Sequence, residues 1–300
     1  MKVLYVYDKG SNIRYLHNML ELQNKMFKDF SYIFVRLPEY ITFDQNNFDL
    51  LIYQTFPDPS HPTKFTPELA KQGDEKFWEF KGIKVLQDSY DNGELDAFSR
   101  MGETAEKLPR IKSTPGFSYL KKFNVIYDIP PWVGSGIARN INRERDILVH
   151  CAFAVKDYYG HRIRHRIMDI LHNEFSKEVD FIKVNSRKYL RHLERTQISI
   201  TAPGFGPCSN TFWYALRTAT LSVAEQTVDR YKLLPRVDLI PDEDYVSFSV
   251  DTLADKLRYL LKNPDECERI RRSGYKKFME GYNFERSTKD FHTVLENLCN

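Results

Sequence analysis

Between Ile198 and Arg217 the chain reads Ile-Ser-Ile-Thr-Ala-Pro-Gly-Phe-Gly-Pro-Cys-Ser-Asn-Thr-Phe-Trp-Tyr-Ala-Leu-Arg. A strand pattern ends at Thr201, a loop with Gly204, Phe205 and Gly206 follows, and a helix opens near Ser209 or Asn210. Glycine lets a ligand approach the backbone closely, and the unpaired N–H groups of a helix start attract anions. This order predicts a diphosphate site at the C-terminal edge of an α/β sheet. A tight turn with an ordinary Ser or Asn cap would use the same residues, so the segment alone leaves both readings open.

Two further groups of residues could do chemistry. The run His161-Arg162-Ile163-Arg164-His165-Arg166 opens a helix. A guanidinium pairs phosphate oxygens bidentately, which makes these arginines candidates against the competing picture of a solvated basic face. Arg166, just before Ile167-Met168, is the first choice, Arg162 the second, and Lys188 on the next helix a weaker one. For proton transfer from an acceptor hydroxyl, a carboxylate at a strand end is needed. Asp88 and Asp91 follow one strand, beside Ser89 and Tyr90, and Asp8 follows another, with Gly10 and Ser11 behind it. Each is equally an ordinary turn former.

The elements that must hold these residues alternate. Strand patterns at 3–7, 32–36, 48–53, 84–86 and 124–127 interleave with helical stretches, the first at 13–27. The stretch 131–146, with Trp132, Gly134, Gly136 and several arginines, has neither period and is expected to be a linker. The alternation then restarts, with strands at 147–153, 181–184, 197–201, 221–223 and 245–247. Helices are expected at 162–175, 187–195, 212–217, 252–262, 264–281 and 284–298. The expected division is 1–130, linker 131–146, 147–283, and a last helix 284–300.

Composition narrows the function classes. With 42% hydrophobic and 14% aromatic residues, the chain is not disordered, and a net charge of +3 commits to no partner. Cys151, Cys208, Cys267 and Cys299 show no metal or disulfide spacing and read as reduced thiols of a cytoplasmic protein. No apolar run approaches the roughly 20 residues of a membrane span. Apart from His161/His165, set among arginines, no H-x-x-x-H occurs on an expected helix, and no bound metal is predicted.

Tyr214-Ala-Leu-Arg-Thr-Ala219-Thr-Leu-Ser222-Val resembles the Glu-Ala-Leu-x-x-Gly-x-x-Pro-Val segment of GT-B glycosyltransferases, of the CgeB/YkvP-like and glycosyl-group-1 branches. The order that follows is also similar: Asp242-Glu-Asp-Tyr-Val-Ser-Phe, a helix ending Asn-Pro264, Arg269-Ile-Arg-Arg-Ser-Gly274, and Tyr282-Asn-Phe-Glu-Arg. The likeness covers roughly 147–298. It departs where the family Glu falls on Tyr214, the Gly on Ala219 and the Pro on Ser222, so that Tyr214 or Glu225 would have to take over the ribose contact, or donor binding is altered.

The resemblance implies an α/β fold of two Rossmann-like lobes facing a central cleft, with the final helix crossing back to the first lobe. It implies transfer of a sugar from a nucleotide-diphosphate donor, without a required metal, to a hydroxyl. The diphosphate would lie around Gly206–Asn210 with arginine help, and the nucleoside near Tyr189, Tyr214, Asp244 and Tyr245. The acceptor side would be the first lobe, with Gly10, Ser11, Tyr90 and Trp132. Lys107, Arg110, Lys112, Lys121, Lys122, Arg139, Arg143 and Arg145, with Phe117 and Tyr119, could line a groove for an anionic polymer. Phage enzymes that glycosylate hydroxymethylcytosine in double-stranded DNA share this architecture, which would place the protein in a host cytoplasm. The alternatives are a catalytically silent DNA- or glycan-binding module of the same fold, and a nucleotide-sugar epimerase.

Overall fold

The structure is a computed structural model. It describes residues 1–7, 13–54, 67–88, 98–113, 115–129, 141–153, 161–184, 186–203, 208–234 and 236–300. Two compact units divide the chain: unit 1 is Met1–Trp132 with Asn283–Asn300, and unit 2 is Val133–Tyr282.

Unit 1 runs β1 (Lys2–Tyr7), α1 (Ile13–Met26), β2 (Ser31–Arg36), α2 (Leu37–Tyr40), β3 (Leu50–Gln54), α3 (Pro67–Glu79), β4 (Ile83–Asp88), α4 (Glu103–Glu106), β5 (Arg110–Ser113), α5 (Phe117–Lys122) and β6 (Val125–Ile129). The six strands form one parallel sheet in the order β2-β1-β3-β4-β5-β6. β1 and β3 are almost continuously apolar, as strands covered on both faces must be, and Val3–Val6 and Leu50–Tyr53 are fully buried. The chain leaves β1 in one direction to β2 and in the other to β3 and onward. The topological switch point of unit 1 therefore lies at the ends of β1 and β3.

Unit 2 repeats the plan: β7 (Ile147–His150), α6 (His161–Glu174), β8 (Val179–Asp180), α7 (Ser186–Glu194), β9 (Thr196–Thr201), α8 (Asn210–Arg217), β10 (Leu221–Glu225), β11 (Val246–Phe248), α9 (Leu253–Lys262) and α10 (Pro264–Gly281). Its parallel sheet has the order β11-β10-β9-β7-β8, which puts the switch point between β7 and β9. One face of this sheet packs Val149, Ile198 and Val223 on Ile167 and Leu171 of α6 and Leu253 and Leu257 of α9.

The last helix, α11 (Phe284–Cys299), belongs to unit 1, as the resemblance implies. Asn283 caps it by accepting a hydrogen bond from Arg286 N–H at 2.9 Å. Phe291 packs on the Tyr127 ring of β6 at 4.8 Å, and the His292 ring stacks on Phe27 at 3.6 Å. Gln23 of α1 donates to Thr288 O at 3.1 Å.

Several expectations need correction. The strand expected at 181–184 is irregular backbone, and the ladder holds only Val179–Asp180. The Asp180 carboxylate accepts from Ile182 N–H at 2.9 Å and turns the chain out of the sheet. The sequence pattern missed β5 because Arg110 and Lys112 break its apolar run, although Arg110, Ile111 and Lys112 are all fully buried. Of the expected linker, 131–140 lies outside the described residues. Arg145 is fastened inside unit 2: its guanidinium donates to Leu193 O at 3.2 Å, Thr196 O at 2.5 Å and Thr218 O at 3.0 Å.

Gly274 marks a close approach. A Cβ there would lie 2.0 Å from the backbone oxygen of Asp244, and backbone cannot swing aside. Gly274→Ala is expected to destabilise unit 2 by about 1–3 kcal/mol through overpacking, measured by chemical denaturation. Gly102, where an added Cβ meets open space, lies at φ +79, so Gly102→Ala tests backbone strain separately from crowding.

Candidate functional site

The ends of β7 and β9 flank the unit 2 switch point, the place where a parallel α/β sheet opens a crevice for a ligand. After β9 the chain is described to Pro203 and again from Cys208. Gly204, Phe205 and Gly206 lie outside the described residues. Ser209 is the N-cap of α8, with extended backbone (φ −76°, ψ 154°), and its side chain accepts no capping hydrogen bond. Asn210 is exposed at the helix start, while Phe212, Trp213, Ala215 and Leu216 bury the body of the helix. Phe212 N–H already donates to Ser209 O at 3.0 Å, so an anion at this end would take the N–H groups of the residues before it.

An arginine outside the first choices, Arg164, contacts the last described residues before this loop. Its Nε donates to Pro203 O at 2.8 Å and its Nη2 to Ala202 O at 3.4 Å. The guanidinium lies 5.3 Å from the centre of the Phe153 ring. Burial pulls its pKa down, with Cys151 opposing. The first choice, Arg166, points elsewhere: it pairs with Asp251 at 2.7 Å on an open surface. Helical geometry is the reason, since residues two apart on a helix point about 200° apart. Arg162 is likewise exposed. A signal for Arg164 was present, because it shares the stripe of Ile163, Ile167 and Leu171 that buries α6.

On the other sheet face, α7 and α8 bring aromatic rings together. Tyr189 meets Tyr214 edge-on at 6.0 Å, and the His150 ring lies 5.8 Å from Tyr189. Both tyrosines are half-buried, and burial pushes the Tyr189 hydroxyl up to about 12. Lys188 is exposed on the same helix. Tyr214 stands where the resemblance places a Glu. Glu225, the possible substitute, is buried at the end of β10, where one carboxylate oxygen caps the following turn through Thr227 N at 3.1 Å. Ala219, at the family Gly position, adopts φ +50°, the left-handed region that glycine enters without strain. The family residue type there has a backbone reason that this chain overrides.

Two expected nucleoside contacts are corrected. The Asp244 carboxylate is buried and fully engaged: it accepts from Ile240 N at 2.7 Å, Ser273 Oγ at 2.6 Å and Lys277 Nζ at 2.7 Å. Tyr245 is buried and donates to Asp229 at 2.8 Å, and burial raises its pKa far above the usual range. Asp244 holds the loop onto α10, and Tyr245 ties it to the turn that follows β10.

In unit 1, Asp88 is corrected as a catalytic base. It is fully buried, paired with Lys112 at 2.9 Å, and accepts from Tyr119 Oη at 2.7 Å. Arg110, also fully buried, donates to Tyr119 at 3.0 Å and lies 4.1 Å from the centre of the Phe123 ring. Arg110, Lys112 and Arg145 therefore leave the expected polymer groove, and Tyr119 with them. Lys107, Lys121, Lys122 and Phe117 remain exposed, Lys122 pairing with Glu106. Asp8, Gly10, Ser11, Tyr90, Asp91, Trp132 and Arg139 lie outside the described residues.

Against the expectation of no metal, one group of three possible ligands comes together among the described residues: His150, Asp180 and His192 of unit 2. Burial holds the His150 imidazole down to about 4, with His192 adding to the effect and Asp180 opposing it.

No family profile and no curated protein sequence matches the chain. Solved structures do match it in fold. HepE (Alr3699) of Anabaena in complex with UDP and glucose aligns over 99% of this chain and all of its own, with TM-score 0.59 and 8% identity. An alpha-glucosyltransferase in complex with UDP and a 13-mer DNA containing a central A:G mismatch aligns over 98% of this chain and all of its own, with TM-score 0.59 and 11% identity. A glycosyltransferase from Rickettsia africae ESF-5 covers 99% of this chain and is covered over 98%, with TM-score 0.58 and 9% identity. The fold is that of GT-B glycosyltransferases: two Rossmann-like units, each built on a parallel sheet.

Proposed function

We propose that the protein is a glycosyltransferase that moves a sugar from a nucleoside-diphosphate donor to a hydroxyl. The supporting observation is the open start of α8 at the unit 2 switch point, with Arg164 fixing the backbone of the strand-to-helix turn. Backbone N–H groups at Ser209 and Asn210, with the Gly204–Gly206 loop, would hold the diphosphate. Tyr189 and Tyr214 offer the faces and edges against which a nucleoside packs. Such a site stabilises the leaving diphosphate through fixed dipoles and needs no metal for that task. Arg162 and Arg166 are left with no more than a long-range electrostatic part.

The acceptor-side base falls to Asp8 or Asp91. Asp8 directly follows β1, one of the two strands at the unit 1 switch point. A retaining reaction would need neither. The acceptor class we favour is a hydroxyl on a modified base of double-stranded DNA, on the strength of the DNA-bound fold relative and the exposed Lys107, Lys121, Lys122 and Phe117. This reading would place the protein in a cytoplasm, and no helix among the described residues is long and apolar enough to cross a membrane.

A thermal-shift series with UDP, GDP, CDP, ADP and their sugars tests the donor site. One nucleotide at about 100 times its Kd should add about 2.7 kcal/mol of stability by mass action. No response to any of them removes the enzyme reading. Tyr214 in place of Glu favours a second reading, a silent module that binds without transfer. Sugar release or transfer from the nucleotide that shifts Tm would exclude it, with glucosylated hydroxymethylcytosine DNA as the product to look for.

A further inference from the structure

Three groups from three elements converge below Tyr189 in unit 2: His150 at the end of β7, Asp180 at the end of β8 and His192 on α7. We propose that His150 Nδ1, His192 Nε2 and the Asp180 carboxylate bind one divalent transition-metal ion of the zinc class. The separations fit. His192 Nε2 lies 3.2 Å from His150 Nδ1 and 3.0 Å from Asp180 Oδ2, and all three donor atoms lie within 4.8 Å of one another. Ligands at about 2.0–2.2 Å around a tetrahedral ion stand about 3.3–3.6 Å apart, so the two pairs through His192 need shifts of a few tenths of an ångström, and His150 and Asp180, within 4.8 Å of each other, need to close by at most about 1.5 Å.

Three features separate this group from an ordinary polar cluster. First, His192 Nε2 has one in-plane position, either a lone pair or an N–H. It cannot serve two short contacts with good geometry in both, whereas an ion takes a lone pair from each atom. Second, the carboxylate is already aimed: Asp180 Oδ1 accepts from Ile182 N–H at 2.9 Å, which turns Oδ2 toward His192. Third, the two imidazole rings sit 4.5 Å apart with a nitrogen of each only 3.2 Å from the other, near enough for one ion to reach both. His150 is fully buried, while the His192 and Asp180 side chains keep 13% and 20% of their exposure, which leaves an entry path. Two histidines and a carboxylate suit zinc with a water in the fourth place, and suit magnesium or calcium poorly. The ion would pin β8, only two residues long, and the nine-residue α7 to β7.

The test uses the full chain stripped of metal with a chelator. Zinc is titrated against a chromophoric competitor, and cobalt(II) is followed by its visible d–d bands. One ion per chain, the strong bands of four-coordinate cobalt, and a Tm rise of about 5 °C at about 100 times Kd are expected. His192→Gln and Asp180→Asn should each weaken zinc affinity at least tenfold and change the cobalt spectrum. His165→Gln, an exposed histidine on α6, should change neither. Circular dichroism shows whether each variant is folded, and the wild-type cobalt spectrum stands without them. No stoichiometric zinc on the wild type, or equal affinity in folded His192→Gln and Asp180→Asn, overturns the site. Equal stabilisation by magnesium overturns the assignment to the zinc class.

Discussion

Asp88→Ala is expected to cost about 3–5 kcal/mol of stability, because it strands Lys112 in the protein interior without its counter-charge. Both side chains are fully buried, and the carboxylate also accepts from Tyr119, which in turn takes a hydrogen bond from Arg110. Losing the anion takes the Lys112 ion pair away at a place where Arg110 is fully buried as well. Chemical denaturation should show the loss directly. The double variant Asp88→Ala/Lys112→Met should recover most of it, since an apolar pair of similar volume removes the unpaired charge. A catalytic base would behave in the opposite way: its replacement would lower turnover with little change in stability, and Lys112→Met would rescue nothing. Stability of Asp88→Ala within about 0.5 kcal/mol of wild type would remove the structural assignment.

The same pair shows where sequence reading stops. Arg-Ile-Lys-Ser at 110–113 alternates charged and apolar residues like a half-exposed strand, yet Arg110, Ile111 and Lys112 are all fully buried. Asp88 on the neighbouring strand pairs with Lys112, and Tyr119 with the Ala105 carbonyl holds Arg110; no local pattern carries this information. The helix 264–281 was legible to the residue, because Pro264 fits a first turn and acidic Asp265 and Glu266 complement the helix dipole. The strand–loop–helix turn at 198–217 was legible for the same reason: it is local. Asp244 was not, since its three partners come from residues 240, 273 and 277. The His150–Asp180–His192 group is the extreme case, assembled from three elements by sheet order alone.

Position 219 adds a backbone instance. The motif likeness pointed to a glycine there and found alanine, and the structure gives that alanine a positive φ of 50°. Alanine here holds a left-handed conformation that glycine would adopt with less strain. Tyr214 is the parallel case among side chains, where the motif's carboxylate is replaced by an aromatic ring packed on Tyr189. On the donor site proposed above, the nucleoside would rely on ring packing more than on a carboxylate hydrogen bond.

Arg164→Met should weaken nucleoside-diphosphate binding by about 10- to 100-fold while leaving most of the fold's stability in place. The guanidinium makes two charge-assisted contacts, to Pro203 O and Ala202 O, at the point where β9 passes into the Gly204–Gly206 loop. Hydrogen bonds to charged groups contribute about 1.5–3 kcal/mol each, and about 1.4 kcal/mol is tenfold in affinity. Holding these two carbonyls fixes the backbone of Ala202 and Pro203, from which the chain runs on toward the start of α8. Methionine keeps the packing on Phe153 but lets the turn relax. Lysine should not rescue, because a single ammonium lacks the planar fork that spans two adjacent carbonyls. Isothermal titration with the nucleotide that raises Tm measures the change. Arg166→Met, which breaks only the exposed pair with Asp251, is the matched control and should bind within about twofold of wild type. If Arg164→Met binds as well as that control, the turn is positioned by something else and Arg164 is only a core residue of α6.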